Sequence, residues 1–452
     1  MIELLFNHST LHITELIKLK HMKTRFIFFS FLLFISIGVK SQSIKQDLDR
    51  LSKEFHFTYE VLNKGDEFAE RYLLWVEQEI DQQHPTGKTF KQRVFLSHKG
   101  LNRPMVMVTE GYWANYAENP NYKNELTTIL DANQIVIEHR YFAPSVPDSA
   151  NFDWKYLTIE NAAVDHHRVN EILKQIYKKK WLATGISKGG QTAMYYKYFY
   201  PNDVAVTVPV VAPLNFSKEE KRVYRHLKTV GTPECRASIL AFQTEMLKNK
   251  KKYLKAFKKL AKDDGQTYER VGGLEKGYEL TVLEYSFAFW QWGSSCGKIP
   301  LADVGAKRMV DHLNKIAGIN WISDQGIENQ QPFFYQAMHQ FGMYGYDITP
   351  FKEWVSFDKN PTFEFTFPKG VEVEYSPETH HKVDCFVRHK AQNMVFIVGG
   401  VDPWGAPSVN LPMETNSIKV VRKGGSHRTR ILNLPKEDRD MVISTIREWM
   451  RE

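Results

Sequence analysis

The chain has 452 residues, 42% of them hydrophobic and 25% charged, with a formal net charge of +8 at pH 7. Such a length and apolar content support a sizeable core, arranged as two domains or as one large α/β domain with an insertion. The positive charge is modest and partly confined to the leader and one lysine run; with no basic nucleic-acid motif present, a nucleic-acid partner is not expected.

Taken in chain order, Lys23 and Arg25 precede an apolar run from Phe26 to Val39 that is too short to span a bilayer comfortably. Val39-Lys40-Ser41 carries small residues where a signal peptidase reads, so residues 1–41 are expected to be a leader and signal peptide. Cleavage is predicted after Ser41 and the true start at Met22, with export to the periplasm or the extracellular space. No cysteine follows the run, so a lipid anchor is not expected. No other run approaches membrane-spanning length, so no stable membrane insertion is expected after cleavage.

Pro104 to Thr109 reads as a central strand followed by the loop Glu110-Gly111-Tyr112-Trp113. Gln134 to Glu138 reads as another strand. Thr158 to Tyr177 has apolar residues near helical spacing, with Thr158 as the N-cap. The short apolar run Trp181 to Ile186 leads into Gly185-Ile186-Ser187-Lys188-Gly189-Gly190, and a helix is expected from about Gln191. Strand, sharp turn and helix are the context of a G-x-S-x-G nucleophile elbow, where glycines let neighbouring backbones approach and the serine hydroxyl stands above the sheet. Taken alone, the pattern could also be a Gly-Ser-Gly turn without chemistry.

Two further features raise its meaning. After a strand from Val204 to Val211, the strand–helix alternation stops between Asn215 and about Cys385, then resumes with the strand Met394 to Val398 and the turn Asp402-Pro403-Trp404. Another strand, Ser417 to Val421, leads to Lys423-Gly424-Gly425-Ser426 and then His427, and Pro435 to Glu452 closes the chain as an amphipathic helix. Serine, acid and histidine thus follow in the order of an α/β-hydrolase triad, each on a loop after a strand. Ser187 is the expected nucleophile, His427 the general base and acid, and Asp402 the group that orients the imidazole. The oxyanion donors are expected from the Lys188 backbone N–H and from Gly111 or Tyr112.

The fold class follows as an α/β-hydrolase, with a mostly parallel, doubly covered sheet formed by residues 42–214 and 386–452. Residues 215–385 form the expected helical cap, inserted between the nucleophile and the acid. The cap holds a lysine-rich run from Lys248 to Lys262, read as a solvated helix face, and the aromatic stretch Glu284 to Trp292. Among the three cysteines, Cys235 and Cys296 could pair and leave Cys385 free, although three pairings are open. No C-x-x-C occurs, and the His-His pairs at 166–167 and 380–381 lack ligand spacing, so neither metal nor cofactor is expected.

Glu138-His139-Arg140-Tyr141-Phe142, Tyr156-Leu157-Thr158 and the Gly-Ile-Ser-Lys-Gly-Gly elbow resemble the secreted serine peptidases related to prolyl carboxypeptidase and dipeptidyl peptidase II. Thr109-Glu-Gly-Tyr-Trp, the Ser-Lys-Gly-Gly elbow and Val401-Asp-Pro-Trp404 are more similar still to the bacterial tripeptidyl aminopeptidase family of the PS-10 type. The resemblance runs from about Phe55 to the C-terminus and is weakest through the cap. It implies cleavage of short peptides, tripeptides foremost, from a free N-terminus, with a preference around proline. The cysteine pattern of the prolyl carboxypeptidase branch is not reproduced. Binding an α-ammonium calls for a carboxylate, so Glu110, Glu138 and Glu284 are candidate substrate-binding residues, with Trp290 from the aromatic stretch beside them. A secreted esterase or lipase on the same fold is the alternative; the oligomeric state is not legible.

Overall fold

The computed structural model describes residues 43–412 and 415–451. The expected leader, the start at Met22 and the cleavage after Ser41 lie outside the described residues. Among the described residues, strands β1 (Phe57–Leu62), β2 (Glu70–Glu79), β3 (Thr89–His98), β4 (Met105–Thr109), β5 (Asn133–Ile137), β6 (Trp181–Ile186), β7 (Val206–Val210), β8 (Val395–Gly399) and β9 (Ile418–Arg422) form one sheet. Their order is β1-β2-β3-β5-β4-β6-β7-β8-β9. The first three strands are antiparallel, β3 joins β5 antiparallel, and from β5 to β9 every pairing is parallel. The protein has the α/β-hydrolase fold.

The strands β4 to β8 are short and buried on both faces, which explains their continuous apolar character, whereas the edge strand β9 is partly exposed. In β4, Met105 and Met107 point to the face covered by Leu48, Leu51, Val169 and Ile172, whereas Val106 and Val108 point to the face covered by Leu126, Val442 and Ile446. Helices from different parts of the chain therefore clamp the same strand from opposite sides. The antiparallel strands β1 to β3 were not among the elements read from the sequence. In β2, buried Leu74 and Val76 alternate with half-exposed neighbours, the pattern of a strand with one face turned outward.

The helix expected over 158–177 spans Ile159–Lys174. Thr158 is its N-cap, its hydroxyl accepting from the Asn161 N–H at 3.2 Å. Its last turn tightens as the Gln175 and Ile176 N–H groups bond back only three residues, to Ile172 and Leu173. The helix after the elbow begins at Lys188 rather than Gln191.

Between β7 and β8 the described chain forms helices, among them Lys221–Thr229, Pro233–Lys248, Lys250–Asp263, Leu274–Gln291, Ala306–Ala317 and Glu378–His389. They share an aromatic core that includes Phe242, Tyr285, Phe287, Phe289, Phe334 and Phe363. Leu274–Gln291 is buried nearly all round, so its sequence shows little amphipathic contrast. The lysine-rich helix turns only Tyr253, Phe257 and Ala261 inward. Cys385, the expected end of the insertion, lies inside Glu378–His389, whose Val383 and Val387 belong to the same aromatic core. Cys235 and Cys296 form a disulfide, and Cys385 is free and exposed. Among the described residues no helix is long and apolar enough to cross a membrane.

One buried ion pair fixes the loop after β5. Arg140 and Asp165 are both fully buried and joined twice, Nε to Oδ2 at 2.6 Å and Nη2 to Oδ1 at 2.8 Å. The same guanidinium donates to the carbonyls of Ile80, Tyr156 and Glu79. Removing the acid would leave a buried cation without its counter-charge. Asp165→Ala is predicted to lower unfolding stability by about 3–5 kcal/mol in urea titrations.

Candidate active site

Strands β4, β6, β8 and β9 run parallel, so the loops that follow them all lie at one edge of the sheet. The oxyanion loop, the elbow, the acid and the histidine are therefore assembled by topology before any side chain is considered.

At the elbow, Ser187 has φ 57° and ψ −122°, a strained conformation for a residue with a Cβ. Such a residue costs on the order of 1–3 kcal/mol and persists only where its surroundings over-determine it. Here the Ser187 N–H donates to the Val210 carbonyl at 2.8 Å. The flanking glycines are required by contact. A Cβ on Gly185 would stand 2.2 Å from the Gly189 carbonyl oxygen, and one on Gly189 would stand 2.6 Å from the Thr109 carbonyl oxygen. The Thr109 hydroxyl donates toward the carbonyls of Thr184 (3.2 Å) and Gly189 (3.0 Å), stitching β4 to the turn.

Asp402 is fully buried, and its Oδ2 stands 2.6 Å from His427 Nδ1. Its other oxygen accepts from the Trp404 N–H at 3.2 Å, so both carboxylate oxygens are held. The histidine loop rests on the end of β8, where a Cβ on Gly399 would meet the Ser426 carbonyl oxygen at 2.4 Å. The Arg430 guanidinium donates to the His427 carbonyl at 3.0 Å, and the His427 N–H donates to the Gln291 carbonyl at 2.9 Å. The imidazole is thereby fixed between the sheet edge and the helix Leu274–Gln291.

Lys188 has a role that the elbow pattern does not reveal. Its side chain is buried, and Nζ donates to the Gly111 carbonyl at 2.6 Å while facing the rings of Tyr112 and Phe142. Burial drives its pKa well below the usual lysine value, opposed by the charge of Glu110. Gly111 is indispensable beside it, because a Cβ there would sit 2.6 Å from the Lys188 Cβ and Cγ. The residue after the nucleophile thus braces the oxyanion loop with its side chain. The Gly111 N–H faces the Glu110 carboxylate at 3.3 Å. Burial raises the pKa of the Tyr112 phenol, and the Ser187 side chain opposes that shift.

The four substrate-binding candidates separate. Glu110 lies beside the oxyanion loop, bonded by the Tyr116 hydroxyl, and burial pushes its pKa up to about 7. Glu138 is fully buried and committed to Arg93, to the Ser145 hydroxyl (2.7 Å) and to the Ala114 N–H (2.9 Å). Its cation is therefore Arg93, not the neighbouring Arg140, which is held by Asp165. Trp290 is buried against Gly231 and lines a cavity of about 290 Å³ with Tyr224, Leu240, Phe287, Tyr346 and Phe351. Glu284 is buried and accepts from the Tyr344 and Tyr346 hydroxyls at 2.9 and 2.8 Å, with no cationic partner among the described residues. Burial pushes its pKa up to about 8 despite those two bonds.

Among the described residues no group of three or more His, Cys, Asp or Glu side chains could hold a metal ion. The paired histidines point apart, His166 to the Ala162 carbonyl and His167 to Asp203.

The Glu284 carboxyl supplies a test independent of turnover. Folded protein keeps this proton to about pH 8, whereas an unfolded glutamate releases it near pH 4.3, so unfolding releases a proton between those values. The group's stabilising contribution is full below the lower value and is lost as pH rises through the upper one. Relative to the wild type, Glu284→Gln is predicted to gain melting temperature steadily from pH 5 to about pH 8 and to level off above it, by a shift worth on the order of a few kcal/mol. A constant difference across that range would show that Glu284 does not carry a raised pKa.

Comparison with known proteins agrees with this geometry. The model of the family described as PS-10 peptidase S37 matches residues 60–451. The "Prolyl tri/tetrapeptidyl aminopeptidase" of Streptomyces mobaraensis is 34% identical over 386 residues, covering 84% of this chain and 80% of that protein. An Arabidopsis thaliana protein, "Probable serine protease EDA2", is 25% identical over 171 residues, 33% of this chain and 35% of its own. Among solved structures, the proline iminopeptidase of Mycobacterium smegmatis aligns over 87% of this chain and 99% of that one, at 13% identity and a TM-score of 0.36, too distant to inform the reaction. With the family matched over most of its length, this chain belongs to the PS-10 peptidase S37 family.

Proposed function

We propose that the protein is an exported serine exopeptidase that removes short peptides, tripeptides foremost, from free N-termini through an acyl-enzyme. The observation that carries this reading is the buried Asp402–His427 pair at the same sheet edge as the strained Ser187 elbow. His427 takes the Ser187 hydroxyl proton as the oxygen bonds the substrate carbonyl carbon. The Lys188 backbone N–H and the Gly111–Tyr112 loop receive the developing oxyanion. As the intermediate collapses, the carbon–nitrogen bond breaks and His427 gives its proton to the leaving amine. Water, deprotonated by the same imidazole, then releases the peptide acid and restores Ser187.

Glu284 supports exopeptidase action over esterase action. It is a buried carboxyl whose polar partners among the described residues are two neutral phenols, so an arriving α-ammonium would draw its raised pKa down, displace its proton and gain an unshared counter-charge in a medium of low polarity. Its position suits a short peptide. Gln291, on the same helix, touches the His427 backbone, and two helical turns back to Glu284 is about 10.5 Å along the axis. Three extended residues span about 10 Å. In this reading residues 215–385 act as a cap that closes one end of the substrate groove and so limits cleavage to the third bond or the one after it. The name of the Streptomyces relative supports the same length and a preference around proline.

The test uses purified protein from Gln42 onward with aminoacyl, dipeptidyl and tripeptidyl fluorogenic amides, each free and N-acetylated. Free tripeptidyl amides are expected to be cleaved and acetylated ones spared, with activity in Ser187→Ala lower by roughly 10⁴-fold or more. Glu284→Gln is expected to raise KM for the free tripeptide about tenfold and to erase its advantage over the acetylated one. Ester hydrolysis dependent on Ser187 with no amide cleavage would leave an esterase.

A further inference from the structure

The aromatic stretch that ends the helix Leu274–Gln291 contains one ring unlike its neighbours. Phe289 is fully buried and Trp290 nearly so, yet Trp292 is 45% exposed. Exposed aromatics scattered over a surface need no explanation, but this one is held by the active site. Its ring meets the His427 imidazole edge-on, with centroids 5.8 Å apart, and the Arg428 guanidinium lies 5.8 Å from its centroid. Next to it, Gln291 accepts from the His427 N–H at 2.9 Å, and a Cβ on Gly293 would stand 3.0 Å from the Ser426 Cβ. Four residues further on, the Cys235–Cys296 disulfide anchors the same segment to the helix Pro233–Lys248.

Chemistry gives this location a direction. The imidazole that takes the Ser187 proton must hand it to the nitrogen of the departing amine, so it stands between nucleophile and leaving group. A ring packed against that imidazole and open to solvent borders the path of the leaving peptide rather than the acyl part. We propose that Trp292 forms the binding platform for the first residue of the leaving peptide, and that it gives the enzyme a preference for aromatic or large apolar side chains there. The inference rests on the peptidase reading above and adds specificity on the leaving side, opposite the Glu284 anchor. The exposed part of the ring can make edge-to-face or stacked contact with such a side chain while its T-shaped contact with His427 is kept. Trp290, two residues earlier, is buried and lines a separate pocket with Tyr224, Leu240 and Phe351, so it cannot serve this purpose.

The experiment compares pairs of peptides with a free N-terminus and the same first three residues, followed by either Phe or Gly. Cleavage is followed chromatographically in wild type, Trp292→Ala and Trp292→Phe. The wild type is expected to favour Phe over Gly in kcat/KM; in Trp292→Ala that ratio falls about tenfold, and Trp292→Phe restores most of it. Taking the ratio on one preparation cancels any loss of folded enzyme. An equal loss on both peptides, or an unchanged ratio, overturns the proposal, because a ring that only steadied His427 would slow every substrate alike. A wild type that cleaves the peptides without favouring Phe removes this inference alone; a wild type inert on all of them removes the peptidase reading and this inference with it.

Discussion

A strained serine is the condition on which the rest of the site depends. Ser187 is held at a positive φ by the hydrogen bond to Val210 and by neighbours that fit only because Gly185 and Gly189 lack side chains. That turn lifts the hydroxyl off the end of β6 and aims the following helix into the molecule. The same crowding sets the oxyanion loop, since Gly189 presses on Thr109 and Lys188 presses on Gly111. Relaxing the turn would therefore disturb nucleophile, oxyanion loop and helix together.

Around this turn the protein keeps charge in places where water is excluded. Arg140 with Asp165 and Arg93 with Glu138 are complete pairs, buried and multiply hydrogen-bonded, and they act as braces for the loops after β5. Lys188 and Glu284 differ from them. The lysine donates to a backbone carbonyl, and the glutamate receives only phenols. Both have pKa values pushed toward the neutral form by burial. A group left short of its counter-charge is costly in a folded protein, and such costs gather at functional sites. Lys188 spends its proton-bearing end on a backbone carbonyl; in the proposed reading Glu284 keeps its capacity for a cation that arrives with the substrate.

Much of this was legible in the sequence. The six strands from β4 to β9 are short apolar runs legible to within about two residues; in β4 to β8 both faces are buried, while β9, at the sheet edge, keeps its apolar Ile418, Val420 and Val421 despite exposed positions. The order and loop context of Ser187, Asp402 and His427 could be read for the same reason, since each follows such a run. The hairpin strands β1 to β3 were harder. Their alternation is interrupted by buried polar residues such as Arg71 and Gln92, which pair with groups distant in sequence. Between β7 and β8 the sequence pattern points to helices but not to the direction of any side chain. Helix Leu274–Gln291 is buried nearly all round and shows little amphipathic contrast, so the spacing does not distinguish buried Trp290 from exposed Trp292 just past its end, nor tell that Glu284 accepts from phenols rather than from a cation. Glu138 lies two residues from Arg140 in sequence, yet the fold pairs it with Arg93 from the neighbouring strand, which adjacency in sequence does not reveal.

Covalent trapping tests the serine at the centre of this account most directly. Purified protein would be treated with a fluorophosphonate and the adduct mapped by peptide mass spectrometry, alongside Ser187→Ala and His427→Ala. A single stoichiometric adduct on Ser187, absent from the serine variant and slowed by roughly three orders of magnitude or more without the imidazole, is the predicted result. Labelling at another residue, or Ser187 labelling indifferent to His427, would contradict it.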